Sequence, residues 1–238
     1  MPGTWFISDL HLDPERPAVT RALGEFLDAH RDCDALYILG DFFEAWVGDD
    51  DDTPLALEIE DRLAAFSAAG PRLYLMQGNR DFLLGEDFCR RAGASLLPDP
   101  SVIDLYGTPV LLMHGDSLCT ADQEYQTFRQ MARSPEWQVE LLSRPLAERR
   151  ALASQLRNMS QQANSNKAED IMDVTLAEVE QALLQHNVNC MIHGHTHRPR
   201  HHTHDHGERW VLGDWGPLGW AIEAKPGAIR LINFDINQ

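Results

Sequence analysis

The first half of the chain, between Thr4 and His114, alternates short apolar runs with amphipathic stretches. Apolar residues recur at three- and four-residue spacing over 19–30 and 55–69, which predicts a helix in each segment. Four apolar runs have the length of buried strands, and each ends in polar residues. These runs are 4–8, 35–39, 73–76 and 110–113. The alternation of strands and helices predicts an α/β fold, with the polar run ends at the edge of a sheet.

The middle of the chain has a different pattern, because strand-like runs vanish after about residue 120 and helix formers dominate as far as 186. Strand-like runs return in the last third, at 189–192, 209–212, 218–223 and 228–234. A chain of 238 residues fits one α/β domain that carries an insertion. We therefore predict a core formed by residues 1–119 and 187–238, and a helical cap formed by residues 120–186.

Charge separates the predicted cap from the rest of the chain. Acidic residues outnumber basic ones 37 to 20, so the net charge is −17 and a nucleic-acid backbone would be repelled. Within 129–167, seven basic residues stand against three acidic ones, a net of +4, which leaves −21 for the remainder. We expect no nucleic-acid partner, and we interpret the basic cap as a surface for an anionic ligand. A solvated helix face is the alternative interpretation.

Nothing in the sequence predicts export or a transmembrane segment. No stretch approaches the roughly 18 consecutive apolar residues that a membrane-spanning helix needs. Residues 1–7 lack the basic flank and long apolar core of a signal peptide. The four cysteines form no CxxC pair, so neither a disulfide framework nor a zinc knuckle is expected. We predict a cytoplasmic protein with no obligate protein partner.

The polar ends of the apolar runs carry side chains that can bind metal ions. Asp9 and His11 are two residues apart just past a run, so in extended backbone both would project to one side. Asp41 follows another run and has two carboxylate oxygens that could bridge two cations. The full set is Asp9, His11, Asp41, Asn79, His114, His195 and His197. Because the carboxyl ends of parallel strands converge on one crevice, we expect these side chains to meet.

The chemistry of this set favours two divalent ions. Imidazole nitrogens mixed with carboxylate and amide oxygens, without thiolates, suit Mn²⁺, Fe²⁺ or Zn²⁺. Seven ligands are too many for one such ion, but shared through Asp41 they fit two ions about 3.5–4 Å apart. Such a pair activates water and stabilises the entering and leaving oxygens of a phosphoryl displacement. The set therefore predicts hydrolysis of a phosphate ester or anhydride.

In series, the motifs D-x-H, GD, GN-x-D, HGD and GHTH resemble those of the calcineurin-like metallophosphoesterases. The resemblance implies a four-layer α/β/β/α sandwich with a dinuclear metal centre, into which the helical cap is inserted. It places Asp9, His11, Asp41 and His197 around one ion, and Asp41, Asn79, His114 and His195 around the other. One departure is Arg80, which stands where that family commonly has a histidine that assists the leaving group. Arginine cannot exchange a proton near neutral pH, but its planar fork can hold phosphate oxygens.

Further motifs are similar to those of the UDP-2,3-diacylglucosamine diphosphatases of lipid A synthesis. They are Gly78-Asn79-Arg80-Asp81, residues 114–120, Asp122, Tyr125-Gln126 and residues 171–174. This resemblance implies catalytic roles for Asn79, Arg80 and His195. It also implies substrate contacts by Asn79, Arg80, Asp122, Ser160, Asn164, Lys167 and His195. Ala121 stands where that family often has an acidic residue, and we expect the difference to tune the reaction without changing it.

By this resemblance, a metal-bound hydroxide attacks the alpha phosphorus of UDP-2,3-diacylglucosamine and releases UMP and 2,3-diacylglucosamine 1-phosphate. The implied cofactors are two divalent ions, with Mn²⁺ expected, and the implied partner is an acylated UDP-sugar lipid. The acyl chains need an apolar channel in the cap. Residues expected in that channel, or in the cap's own core, are Phe128, Met131, Ala132, Trp137, Leu141, Leu142, Leu146, Ala153 and Leu156. We also expect the basic cap to make peripheral contact with the cytoplasmic face of the inner membrane, weakened by salt.

The metal-binding set alone leaves two other functions open. One is a metallophosphoesterase that acts on a nucleotide or a phosphoprotein, which would share the metal ligands and differ in the cap. The other is a non-catalytic scaffold that has lost its metals and works through protein contacts. The scaffold predicts missing ligands, whereas all seven are present in this chain.

Other polar clusters are interpreted as structural. The acidic run 49–52 is interpreted as a solvated turn before a helix. Histidines at 201, 202, 204 and 206 are expected at a hairpin tip, where their role is left open. Asp81 and Asp116 are expected to orient the ligand histidines or Arg80.

Overall fold

The computed structural model describes residues 2–165, 171 and 173–237. These residues form eleven strands and seven α-helices, numbered along the chain. The strands are β1 (Thr4–Ile7), β2 (Ala35–Leu39), β3 (Arg72–Met76), β4 (Ala94–Leu97), β5 (Ser101–Leu105), β6 (Thr108–Met113), β7 (Cys190–His193), β8 (Arg200–His204), β9 (Gly207–Val211), β10 (Leu218–Lys225) and β11 (Ala228–Asp235). The helices are α1 (Pro17–Ala29), α2 (Pro54–Ala68), α3 (Glu86–Arg91), α4 (Gln123–Ala132), α5 (Pro135–Leu142), α6 (Leu146–Ser165) and α7 (Leu176–Gln185).

The strands build two mixed sheets. The first has the order β11-β10-β1-β2-β3-β4, in which β1 to β4 are parallel and β10 and β11 are antiparallel to their neighbours. The second has the order β5-β6-β7-β9-β8, in which β6, β7 and β9 are parallel. The parallel strands give each sheet one edge at which several carboxyl ends lie together, as predicted.

Successive side chains of each strand point to opposite faces, and this alternation separates the molecule into four layers. In β2, Leu36 and Ile38 pack with residues of α1 and α2, whereas Tyr37 and Leu39 lie in the cluster between the two sheets. On the far side of the second sheet, Met191 packs in a third cluster with residues of α7. The predicted four-layer α/β/β/α sandwich is confirmed.

Helices α4, α5 and α6 lie against the first sheet's helical side. Ala132 and Leu141 are buried in the same apolar cluster as α1 and α2, and Phe128, Trp137 and Leu152 pack against it. Helix α7 also lies within 120–186, but it forms the fourth layer of the sandwich. The division of the chain into a core and a cap at these boundaries stays a prediction. Among the described helices, none is both long and apolar enough to cross a bilayer.

The interpretation of the acidic run 49–52 as a solvated turn before a helix is correct in part, because Asp49 and Asp50 form a turn, Asp50 and Asp52 are exposed, and α2 begins at Pro54. The contacts of the run with α3 and α6 were not expected. The carboxylate of Asp49 accepts hydrogen bonds from the amides of Gly85 and Phe88, both at 2.9 Å, at the start of α3. Arg149 of α6 donates to Asp50 at 2.7 Å. Arg150 pairs with the two remaining aspartates at 2.5 and 2.7 Å.

The other arginines between 129 and 157 are also paired within the protein. Arg129 lies 2.9 Å from the Asp116 carboxylate, and Arg133 donates to the carbonyl of Gly78 at 3.0 Å. Arg144 pairs with Glu140 on the helix surface, and Arg157 pairs with Asp13 and Glu44. Most of the described arginines of the cap are therefore paired with carboxylates of the core.

The sequence patterns do not predict the short helix α3 or the short edge strands β4, β5 and β8. His201, His202 and His204 lie on β8, which pairs antiparallel with β9, and His206 lies in the turn that follows. The expected hairpin tip is therefore correct for His206 and wrong for the other three. His206 Nδ1 lies 2.6 Å from Glu180 of α7.

Candidate metal centre and adjoining cavity

The seven predicted ligands lie in loops at the carboxyl ends of β1, β2, β3, β6 and β7. The loops after β1 and β2 run side by side, because the amide of Asp9 donates to the carbonyl of Gly40 at 3.1 Å. The loops after β6 and β7 are joined by the amide of Gly194, which donates to the carbonyl of His114 at 2.9 Å. The structure thereby brings the seven side chains together.

The side chains form two clusters that are each able to hold a cation. One contains Asp9, His11 and His197, and the other contains Asp41, His114 and His195. In the first cluster, His197 Nε2 lies 3.3 Å from both His11 Nε2 and Asp9 Oδ1. In the second, Asn79 Oδ1 lies 2.9 Å from His114 Nε2 and 2.8 Å from His195 Nδ1. Each of these ring nitrogens points at another ligand-type atom.

Asp41 lies between the two clusters. Its Oδ2 is 3.9 Å from His11 Nε2, and its Oδ1 is 3.7 Å from His114 Nε2. Oδ1 also accepts a hydrogen bond from the amide of Arg80 at 2.8 Å, which fixes the orientation of the carboxylate. Asp41 is buried, and its two oxygens face a ligand histidine of each cluster, so this carboxylate would be able to contribute to both ions.

Five of the seven ligands lie on strained backbone. Asp9, His11, Asp41, His195 and His197 all have φ between 48° and 66°. This left-handed region costs residues with a side chain on the order of 1–3 kcal/mol each, so it is found where the surroundings enforce it. Two other non-glycine positions share it in the described part of the chain. The expected extended backbone at Asp9 and His11 is wrong, although both side chains still reach the same cluster.

Two glycines allow the loops to approach each other closely. A Cβ atom at Gly78 would overlap the amide and carboxylate of Asp41. A Cβ atom at Gly194 would overlap the Asp9 carboxylate and the Ser8 hydroxyl. Glycine at these two positions is therefore a requirement for the ligand positions.

The hydrogen bonds of His114 test whether the site fits a cation. Its Nδ1 lies 2.9 Å from the carbonyl of Leu39 and donates to it. In a neutral imidazole, Nε2 is then an acceptor, and it faces the oxygens of Asn79 and Asp41, which are acceptors as well. Acceptors that face one another need a positive charge between them. A divalent ion fits this position.

In the metal-free chain, protons supply that charge. Burial lowers the pKa of His114, but the carboxylate of Asp41 and two further aspartates outweigh it and raise the pKa to about 9. The pKa of His197 is raised to about 9, because its hydrogen bond to Asp9 and the charge of Asp9 outweigh burial. By contrast, burial and the charge of His114 lower the pKa of His195 to about 4. Because one histidine of each cluster has a raised pKa, both clusters attract positive charge.

Asp81 supports the loop that carries Asp41. Its carboxylate accepts hydrogen bonds from the amides of Gly78 at 2.7 Å and Phe42 at 2.8 Å, and more distantly from those of Asp41 and Phe43. Burial and the nearby Asp41 carboxylate raise the pKa of Asp81 to about 6. Asp81 thus orients backbone, and not a ligand histidine or Arg80 as expected.

Asp116 joins α4 to the loop that carries His114. Its carboxylate accepts a hydrogen bond from Tyr125 at 2.6 Å and pairs with Arg129. The Tyr125 ring also stacks on His195, with ring centroids 5.9 Å apart. Asp116 therefore holds α4 in place through Tyr125 and Arg129. We expected it to orient a ligand histidine directly, and it does not.

Glu44 is a residue of the site that the sequence patterns miss. Its Oε2 lies 3.0 Å from His11 Nδ1, and its Oε1 lies 3.0 Å from Arg157 Nε. No spacing rule connects Glu44 to His11, because they belong to different loops that become neighbours only in the folded chain. Its place three residues after Asp41 is the one signal that could have drawn attention to it.

A cavity of about 310 Å³ lies between the core and α4–α6, beside the second cluster. Its polar lining residues are Glu44, Asn79, Arg80, Glu124, Tyr125, Arg149 and Arg157. Its apolar lining residues are Ala45, Trp46, Val47, Phe82, Leu83, Phe128, Leu141, Leu152, Ala153, Leu156 and Met159. Four of the nine channel residues expected from the sequence are in this lining. The core side of the cavity, which includes Trp46 and Phe82, was not expected.

The predicted substrate contacts are only partly described. Asn79 and Arg80 line the cavity, and His195 lies against Asn79. Asp122 is buried at the start of α4, where its carboxylate accepts a hydrogen bond from the Tyr125 amide at 3.1 Å. The side chains of Ser160 and Asn164, and all of Lys167, lie outside the described residues.

Comparisons with known proteins agree with this geometry. Residues 4–199 match the family model of the calcineurin-like phosphoesterases. A relative from Cellvibrio japonicus, named UDP-2,3-diacylglucosamine hydrolase, is 53% identical and covers 98% of this chain and 100% of its own. A protein of the same name from Marinobacter nauticus is 56% identical over 95% of this chain and 96% of its own.

Solved structures show the same fold at low sequence identity. An archaeal phosphodiesterase superposes with a TM-score of 0.51 at 13% identity, covering 98% of this chain and 99% of its own. Vacuolar Protein Sorting 29 from Cryptosporidium parvum also gives 0.51 at 13% identity, covering 99% of this chain and 92% of its own. The matched family model, the relatives and the two ligand clusters lead to one assignment: this chain belongs to the calcineurin-like phosphoesterases.

Proposed function

We propose that this chain hydrolyses the diphosphate of UDP-2,3-diacylglucosamine in lipid A synthesis, releasing UMP and 2,3-diacylglucosamine 1-phosphate. The observation that carries the proposal is the largely apolar cavity that begins at Asn79 and Arg80, beside the ligand clusters. A phosphoesterase for soluble nucleotides needs no such cavity, whereas a substrate with two acyl chains does. The names of the two relatives support the same substrate.

Two divalent ions are the cofactors that the donor set supports. Asp9, His11, Asp41 and His197 would hold one ion, and Asp41, Asn79, His114 and His195 the other. Bound there, the ions supply an activated water and positive charge for the phosphoryl oxygens. We propose Mn²⁺, because the ligands combine imidazole nitrogens with hard carboxylate and amide oxygens.

Residues of the chain add charge and orientation around the diphosphate. The guanidinium of Arg80 is able to hold two phosphate oxygens in parallel, which no histidine at this position can do. Asn79 and His195 contact each other at the mouth of the second cluster and would orient the attacked phosphate. The proposed headgroup contacts of Asp122, Ser160, Asn164 and Lys167 complete this set. Local cations thereby offset the field of a chain with a net charge of −17.

The substrate class has a consequence for location. Two acyl chains keep the substrate in a bilayer, so we propose peripheral contact with the cytoplasmic face of the inner membrane. The described arginines of the cap are paired within the protein, which argues against attraction through them. Exposed apolar side chains of α4, α5 and α6 are better contact points, namely Met131, Val139, Leu142 and Met159.

The function is tested by comparing three substrates with Mn²⁺ present and absent. We expect UMP release from UDP-2,3-diacylglucosamine only with Mn²⁺, and far slower turnover of an unacylated UDP-sugar. An aryl phosphate serves as the generic phosphoester. Faster turnover of the aryl phosphate would support a soluble phosphoesterase, and no turnover of any substrate would support a non-catalytic scaffold.

A further inference from the structure

We propose that Glu44 and Arg157 are positioning residues that couple the docking of α6 to metal binding by the cluster of Asp9, His11 and His197. The coupling goes beyond the proposed reaction and needs only that this cluster bind a divalent ion. It is carried by three polar contacts of 3.0 Å: two connect Arg157 of α6 through Glu44 to His11, and the third connects Arg157 to Asp13 in the same loop.

The first contact sets the proton position on His11. Glu44 Oε2 lies 3.0 Å from His11 Nδ1, and both side chains are at least 87% buried. The contact is an ion-pair distance without hydrogen-bond alignment, and the negative charge of the carboxylate favours the tautomer that carries the proton on Nδ1. The lone pair of the neutral imidazole is then on Nε2, which faces His197 and Asp41. A carboxylate behind a ligand histidine holds the ring in the tautomer and direction that metal binding needs.

The second and third contacts come from α6. Arg157 Nε lies 3.0 Å from Glu44 Oε1, and Arg157 Nη1 lies 3.0 Å from Asp13 Oδ2. One guanidinium therefore holds two carboxylates, of which one contacts His11 directly and the other follows it by two residues. The backbone of Glu44 is fixed separately, because its amide donates to the carbonyl of Leu12 at 3.1 Å. The part of Glu44 that depends on α6 is therefore the direction of its side chain.

Undocking of α6 would remove the charge that holds these two carboxylates in place. Glu44 would then be free to turn to water, and His11 would lose the partner that fixes its tautomer. Coupling between two events is reciprocal, so an ion that binds better when α6 is docked must also favour the docked helix. Arg157 also lines the cavity, so the helix that completes the cavity is the helix that supports His11.

The first test measures Mn²⁺ affinity by calorimetry on the metal-free full-length chain. We expect Glu44→Ala to weaken binding at one of two sites by about 10- to 100-fold, which is usual for a carboxylate behind a ligand histidine. We expect Arg157→Ala to weaken the same site by about tenfold. Arg150→Ala is the control, because Arg150 is on the same helix and pairs with Asp51 and Asp52 away from the ligands.

Two further variants separate positioning from folding. In the Glu44→Ala, Arg157→Ala double variant, the penalties should not add, because both changes break one chain of contacts. Glu44→Gln keeps an oxygen beside His11 Nδ1 but places an amide donor opposite Arg157. We expect Glu44→Gln to bind Mn²⁺ better than Glu44→Ala and, like Arg157→Ala, to lose the link to α6.

The second readout is hydrogen exchange of α6 with and without Mn²⁺. In the unchanged chain and in Arg150→Ala, Mn²⁺ should slow exchange in α6. In Glu44→Gln and Arg157→Ala, this difference should disappear. Unchanged Mn²⁺ affinity in Glu44→Ala, additive penalties, or an undiminished response of α6 would overturn the coupling. Absence of Mn²⁺ binding to the unchanged chain would instead contradict the proposed metal centre.

Discussion

Asp41 directs one oxygen toward each of the two ligand clusters, at 3.9 Å from His11 and 3.7 Å from His114. Its removal therefore affects both cation positions at once. We expect Asp41→Ala to lower kcat by at least about 10³-fold, which corresponds to roughly 4 kcal/mol of activation free energy. UMP release and bound metal per chain are the measurements.

A matched control is Asp28→Ala, which removes a carboxylate whose side chain is 67% exposed on α1. We expect it to leave kcat and metal content unchanged. Substantial residual turnover in Asp41→Ala would argue against a shared carboxylate.

For individual residues, the sequence predicts the metal ligands but not the side chains and backbone conformations that hold them in place. Asp9, His114 and the other ligands are predictable because each is a metal-binding residue type at the end of an apolar run. Glu44 is not, since the contact between the loops that carry it and His11 exists only after folding. The left-handed backbone of five ligands also leaves no trace in the sequence, because aspartate and histidine occupy positions where glycine usually indicates it.

Helix α6 presents one face to the cavity. Leu152, Ala153, Leu156 and Met159 line it at helical spacing, whereas Ala151 is exposed on the same helix. We expect Ala153→Trp to fill part of the cavity and to lower kcat/KM for the diacylated substrate by about tenfold or more. Turnover of an unacylated UDP-sugar should change much less, since its reaction does not use this volume.

The control is Ala151→Trp, which adds the same side chain on the exposed side of α6. Its kinetics should match those of the unchanged chain. Equal losses in both variants would argue against the cavity as the site of the acyl chains, because the position of the indole on α6 would then make no difference.

Arg149 is the buried contact that docks α6 on the loop after β2. Its side chain is 4% exposed and donates to the carbonyls of Val47 and Arg144 and to Asp50. Removing it leaves buried acceptors without their donor, so we expect Arg149→Ala to lower the free energy of unfolding by about 1–2 kcal/mol. Urea unfolding measures this. Arg144→Ala should cost no more than about 0.5 kcal/mol, because its ion pair is on the surface.

Elements were predictable where one pattern dominates over a long segment, as in α1, α2 and the central strands. Strand β8 was not, because its five residues Arg200–His204 are all polar and its conformation depends on pairing with β9. The pairing of the acidic run 49–52 with α6 was missed for a related reason. Its partners, Arg149 and Arg150, are about 100 residues away in sequence, so neither charge pattern reveals the other.

The whole molecule should respond to pH in opposite ways with and without metal. In the metal-free chain, the folded pKa values of His114 and His197 are about 9, above the unfolded value of 6.5. The stability that these protons contribute is fully present below pH 6.5 and is lost as pH rises through about 9. Metal binding needs the same imidazoles deprotonated, so added Mn²⁺ should stabilise more as pH rises over this window.

Thermal melting at several pH values, with a chelator or with Mn²⁺, checks this expectation. The melting temperature of the chelator-treated chain should fall between pH 6.5 and 9, and the increment due to Mn²⁺ should grow. An increment that shrinks with pH would place Mn²⁺ away from these histidines.

Strands β6 and β7 are neighbours in the second sheet, with Met113 opposite His193, although residues 114–189 separate them in sequence. This segment contains α4, α5 and α6, which hold none of the seven ligands, and then α7, which forms the fourth layer of the sandwich. Helices α4 to α6 line the cavity that we propose for the acyl chains, and they are separate in sequence from the metal ligands. We therefore expect that their exchange for other helices of similar span would change the substrate and leave the hydrolytic chemistry intact.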